Sequence, residues 1–209
     1  MLIGVDIRPL QEQVLSGVPI FGRTLIKKLL EQKSKHFLFF ANSLEALPKE
    51  LTDDLNLKKN KLVHTRIPNK LLNISLAAFG APSITRLLQT KNGTASYTKP
   101  DIFLSLNPYF GSVQTKTIEV VHDLTPRIYP EFFTAKMRLA EKCFGITKKL
   151  QKASKIVVLS YSTAGDLAYF YDKSVKNLEQ KIVVIPPGLD FDFLIPPLNE
   201  ELERVRREL

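Results

Sequence analysis

Short continuous runs of apolar residues recur along the chain, separated by stretches in which apolar positions return every third or fourth residue. The first pattern predicts strands buried on both faces and the second predicts helices that cover them. Strands are expected over 2–7, 36–41, 61–66, 101–106, 117–121, 155–160 and 181–185. Between the first two, Val18, Phe21, Leu25 and Leu29 share one helical face, with Ile26 and Leu30 beside them and Lys27, Lys28 and Glu31 outside it. Ser16 stands where an N-cap belongs, and Pro19 is tolerable in a first turn whose amides lack intrahelical acceptors. Apolar stretches over 69–89, broken near Gly80-Ala81-Pro82, and over about 134–152 predict further helices, and another is expected from Ser160 through Tyr171. This alternation predicts an α/β, Rossmann-like three-layer domain with a mostly parallel sheet.

The rhythm stops near Pro186-Pro187-Gly188. After Pro196-Pro197, residues 199–209 form a polar helical pattern with acids in its first turn and arginines in its last, matching the helix dipole. The expected division is a domain over 1–190, followed by a linker and the start of another unit over 191–209.

With 44% hydrophobic and 24% charged residues, 209 residues can bury a sizeable core, which argues against disorder and against a disulfide-stapled miniature. No apolar run reaches the length of about 18 residues needed to cross a bilayer. The start lacks a basic leader and carries Asp6 where a signal peptide is still apolar, so a cytoplasmic location is expected. A single cysteine, Cys143, and scattered histidines give no metal-ligand spacing, and no metal is expected. The net charge of +9 favours anionic partners, although basic residues spread over several helices also read as solvated faces. No nucleic-acid-binding motif organises them.

In an open parallel sheet ligands bind beyond the carboxyl ends of the strands. There the sequence offers Asp6 and Arg8, then Ser16-Gly17-Val18 opening a helix, whose free amides suit a phosphate or simply make a turn. Asn107-Pro108 follows the fourth run. His122-Asp123 follows the fifth, a histidine able to exchange a hydrogen bond with a ligand and a carboxylate able to orient it, or an ordinary structural histidine. Ser160 to Thr163 follow the sixth, where hydroxyls cap a helix first and touch a ligand second.

Taken in order, Ile3-Gly4-Val5-Asp6-Ile7-Arg8-Pro9-Leu10, Ser16-Gly17-Val18, His122-Asp123-Leu124-Thr125, Tyr129-Pro130-Glu131-Phe132-Phe133, Ser160-Tyr161-Ser162-Thr163 and the run from Lys181 to Asp190 resemble the N-terminal half of a family 4 (group 1) glycosyltransferase. The resemblance spans 1–192. It implies one half of a GT-B architecture, two Rossmann-like domains facing across a cleft, with the acceptor held here and a nucleotide-sugar such as a UDP- or GDP-hexose gripped largely by the other half. It implies retaining transfer with no metal or cofactor and little activity from this half alone.

Carried over by position, His122 is the catalytic-centre residue that meets the donor sugar, and Gly17 with Val18 forms the donor-phosphate loop. Asn107, Asp123, Ser160, Thr163 and Arg8 line the cleft. The second glycine common in that loop is absent here, where Pro19 stands, and Phe21 holds the place of a common tyrosine. Glu200 and Glu208 imitate the family's glutamate pair without its surroundings, and Asp190-Phe191-Asp192 imitates a metal motif of another fold. Implied partners are the donor, a glycan or lipid-linked acceptor and the missing half. Met137 and Phe144 among lysines suggest peripheral contact with an acidic membrane, as they also suit core packing. A non-catalytic binding domain that pairs with a separate donor-binding chain is the alternative. A nucleotide-dependent oxidoreductase is disfavoured by the missing G-x-G-x-x-G.

Overall fold

The computed structural model describes residues 1–11, 16–32, 34–57, 61–69, 71–72, 75, 81–89, 99–108, 115–135, 138, 146–188 and 199–208. Its centre is a seven-stranded sheet made of β1 (Leu2–Asp6), β2 (His36–Asn42), β3 (Lys61–Thr65), β4 (Ile102–Ser105), β5 (Lys116–Val121), β6 (Lys155–Val158) and β7 (Ile182–Val184). The order is β3-β2-β1-β4-β5-β6-β7 and every pairing is parallel. The chain is therefore an α/β, Rossmann-like three-layer domain, as its apolar rhythm predicts.

Both sheet faces are buried, which explains runs without polar alternation. Along β2, Phe37, Phe39 and Ala41 join a core cluster with Val5, Ile7, Leu104 and Val120, while Leu38 and Phe40 join another with Val63 and Phe103. The first cluster is closed by Ile26, Leu25 and Leu29 of α1 (Gly17–Leu30) and by Leu51 of α2 (Lys49–Asp54). The second is closed by Ile84, Leu87 and Leu88 of α3 (Ile84–Gln89), which begins just beyond the expected break. A third cluster sets Val121, Ile156 and Val158 against Ile146 and Leu150 of α5 (Ile146–Lys152) and Leu167 and Tyr171 of α6 (Tyr161–Tyr171). Between β5 and α5 lies the one-turn helix α4 (Thr125–Ile128), and β7 is preceded by α7 (Leu178–Lys181).

Most strands stop one or two residues short of the apolar runs. At β1 the cause is visible: the Asp6 carboxylate accepts from the Arg8 amide at 3.1 Å and turns the chain into a 3₁₀ turn, Arg8–Leu10. That turn, α2, α4 and α7 have no signature in the sequence, because each is too short to show a helical period.

Gly22 sets how closely α1 packs on the sheet. A Cβ there would lie 2.5 Å from Leu10 Cδ2 and 3.2 Å from Leu106 Cδ1, so any larger residue forces those side chains to shift where α1, the 3₁₀ turn and the end of β4 meet.

The C-terminal α8 (Asn199–Glu208) forms where its charge pattern predicts, with Arg206 2.8 Å from Glu203. The boundary at 190/191, Asp190-Phe191-Asp192, Cys143, Met137 and Phe144 fall outside the described residues. Some lysines do lie on solvated faces, Lys28 bonding Glu31 and Lys27 reaching Asp54. Lys149 departs from that reading: its ammonium is drawn inward and donates to the Pro108 carbonyl.

Candidate functional site

The strand order reverses between β1 and β4, which opens a crevice at their carboxyl ends. The topology delivers to this edge the segments after β1, β4, β5 and β6, and with them the residues singled out in the sequence.

Arg8 is spent on structure. Its Nε lies 3.0 Å from Asp6 Oδ1, its Nη2 2.6 Å from Asp6 Oδ2, and its guanidinium sits 5.2 Å from the centre of the Phe40 ring. Both side chains are buried. A planar guanidinium matched to one carboxylate through two parallel hydrogen bonds is held rigidly. The pair braces the turn that leads into α1.

At the start of α1, Ser16 occupies the N-cap position, but its side chain does not bond the first-turn amides. The expectation of a serine cap is thus met in position and not in bonding. Gly17 is exposed at the positive end of a 14-residue helix, and a Cβ on it would meet nothing within 4 Å. Val18 is half-buried beside it. One turn on, the Phe21 ring stands edge-on to the His122 imidazole with centroids 5.4 Å apart.

His122 is half-buried at the end of β5, and its Nε2 lies 3.0 Å from the Leu106 carbonyl. A carbonyl can only accept, so Nε2 carries the proton and Nδ1 is left as an acceptor. Burial is the main influence on its pKa and lowers it, against opposing contributions from the Leu106 bond and Asp123. A neutral imidazole results at neutral pH. Asp123 does not bond that ring: its Oδ1 accepts from the Thr125 amide at 2.8 Å and starts α4.

Ser160 caps α6, its Oγ accepting from the Thr163 amide at 3.1 Å. Thr163 Oγ1 reaches back to the His122 carbonyl at 3.4 Å and ties the end of β6 to that of β5. Both hydroxyls serve the frame first, as capping chemistry predicts.

Asn107 is half-buried after β4, in a segment whose three successive carbonyls all accept from side chains. His122 holds Leu106, Ser105 Oγ donates to Asn107 at 3.2 Å, and Lys149 holds Pro108. Sequence reasoning missed Ser105, Glu119 and Lys149. Ser105 and Glu119 sit inside apolar runs, and their polar side chains there were the available signal. Among the described residues no three His, Cys, Asp or Glu side chains gather as metal ligands, and no helix is long and apolar enough to cross a membrane.

No protein-family model matches the sequence, and no curated protein is significantly similar to it.

Proposed function

We propose that this domain is the acceptor-side half of a retaining, nucleotide-sugar-dependent glycosyltransferase of the GT-B kind, with its reacting groups at the crevice between β1 and β4. The observation that carries the reading is the junction of α1 with His122. Through Phe21, the helix whose uncapped start suits a diphosphate is packed against the imidazole that suits a sugar hydroxyl.

In this reading the amides at Gly17 and Val18 face the donor diphosphate, where a helix dipole favours negative charge. Neutral His122 accepts a hydrogen bond through Nδ1 from a hydroxyl of the donor sugar, its other nitrogen being committed to Leu106. Asn107 and the Ser160–Thr163 turn border the space left for the acceptor. Such transfer depends on aligning donor with acceptor and stabilising the departing diphosphate. The resemblance assigns much of that work to a second domain, so the isolated 209-residue chain is expected to turn over poorly.

The test is glycosyl transfer by the product of the whole reading frame with a panel of UDP- and GDP-hexoses. Turnover that His122→Ala abolishes, with the fold intact by circular dichroism, supports the reading. No transfer or donor hydrolysis with any member of the panel, together with no donor-induced amide shifts at Gly17 or His122, overturns it.

A further inference from the structure

Three adjacent strands each carry a buried polar residue in one lateral row of the sheet. Asp6 of β1 pairs in register with Ser105 of β4, and Ser105 with Glu119 of β5. All three are buried, and the neighbours of Glu119 and Asp6 on the outer strands, Ile156 and Phe40, belong to core clusters. Asp6 is satisfied by Arg8. Glu119 is not: its Oε2 is buried without a hydrogen-bond partner, and Ser105, its register partner on β4, carries the neighbouring hydroxyl. The charged groups around it are Lys149 from α5, Asp6 from β1 and, beyond Asp6, Arg8 of the following turn. His122 follows β5 with its Nε2 on Leu106.

Ser105 has one hydroxyl proton and two acceptors that want it. A neutral carboxyl can donate to Ser105 Oγ and leave the hydroxyl proton for the Asn107 carbonyl, whereas a carboxylate can only accept and competes for that proton. Lys149 is not divided in this way: its ammonium carries three protons, donates to the Pro108 carbonyl and acts on Glu119 only through its charge.

We propose that Glu119 is a positioning residue whose protonation sets the Asn107–Pro108 segment at the crevice, by deciding whether Ser105 holds the Asn107 carbonyl or turns to the carboxylate. With Glu119 neutral the hydrogen bonds run from Glu119 to Ser105 to Asn107 and from Lys149 to Pro108. With Glu119 ionised, its proton lost to solvent, Ser105 donates to the carboxylate and the Asn107 carbonyl loses that bond, while Lys149 keeps Pro108. Burial, the dominant influence, raises the Glu119 pKa, and it lowers that of Lys149 to about 8, so both groups are drawn towards neutral pH. The consequence for ligand binding rests on the crevice being the site proposed above, but the latch itself does not.

The test therefore uses no nucleotide-sugar. In the isotope-labelled chain, the Glu119 carboxyl carbon and the Asn107 amide are followed by NMR from about pH 5 to pH 9. The Asn107 signal should include a step at the Glu119 midpoint. Glu119→Gln places a donor where the neutral acid has one, so that step should vanish and leave only what His122 and Lys149 impose through the neighbouring carbonyls. Ser105→Ala should leave Glu119 titrating while Asn107 no longer follows. A wild-type Asn107 signal with no step at the Glu119 midpoint, or a step there that persists in Glu119→Gln or Ser105→Ala, would overturn the proposal.

Discussion

Phe21 and His122 meet edge to face, their planes at 90° and their centroids 5.4 Å apart, although one lies in the helix after β1 and the other ends β5. The contact shields the imidazole that Leu106 orients. Phe21→Ala should hydrate the ring and move the His122 pKa up towards its ordinary value of 6.5. NMR titration of the imidazole carbon-bound protons measures this directly. An unchanged midpoint would show that the shielding comes from elsewhere.

Burial of neutral His122 also predicts a dependence of stability on acidity. Its folded pKa is lowered, so the stability it contributes is present above 6.5 and is lost as pH falls through the folded value. His64, half-buried beside Ser43, is shifted the same way, again chiefly by burial, and adds to the loss. His122→Asn should therefore flatten, without abolishing, the fall in urea midpoint between about pH 6.5 and pH 5. A slope identical to wild type would refute the assignment.

The Asp6–Arg8 pair is enclosed, and removing one member leaves the other charged and unmatched. Arg8→Met is expected to cost about 3–5 kcal/mol, and a double replacement, Asp6→Leu with Arg8→Met, to recover more than half of it. Equilibrium denaturation of both variants decides. If the double variant loses as much as the sum of the singles, bracing of the turn outweighs the charge effect.

Two glycines near the crevice should respond in opposite ways to the same change. Gly22→Val collides with Leu10 and Leu106 and should lose about 1–3 kcal/mol of stability. Gly17→Val meets open space and should stay within about 0.5 kcal/mol of wild type, yet in the full reading-frame product it should weaken nucleotide-sugar binding by crowding the first-turn amides. Urea titration paired with a donor-binding isotherm separates them.

Elements that bury apolar area over a full period were legible in the sequence. All seven strands lie inside or within a residue of their runs, and α6 begins after the serine that caps it; α1 is turned slightly from its expected face, burying Pro19, Gly22, Arg23 and Ile26 while Val18, Phe21, Leu25 and Leu29 are half-buried. Short turns were not, since a four-residue helix such as α4 is started by one local bond, from the Thr125 amide to Asp123, rather than by a pattern. The edge at which the residues following the strands collect was legible too, because a parallel run ends where its first polar residues begin.

What the sequence determined by itself, then, is the layering: apolar runs too continuous to face water at all, interleaved with helices amphipathic enough to cover them. Tertiary structure alone decided which polar residues act on one another. Asp6, Ser105 and Glu119 are far apart in the chain and become neighbours only through the lateral register of β1, β4 and β5. Lys149, one of many lysines on an apparently solvated helix, is distinguished only because α5 carries it to the Pro108 carbonyl. The apolar pattern is local because each element meets the same solvent-excluding requirement, whereas a hydrogen bond or charge pair depends on a distance that folding sets between residues remote in sequence.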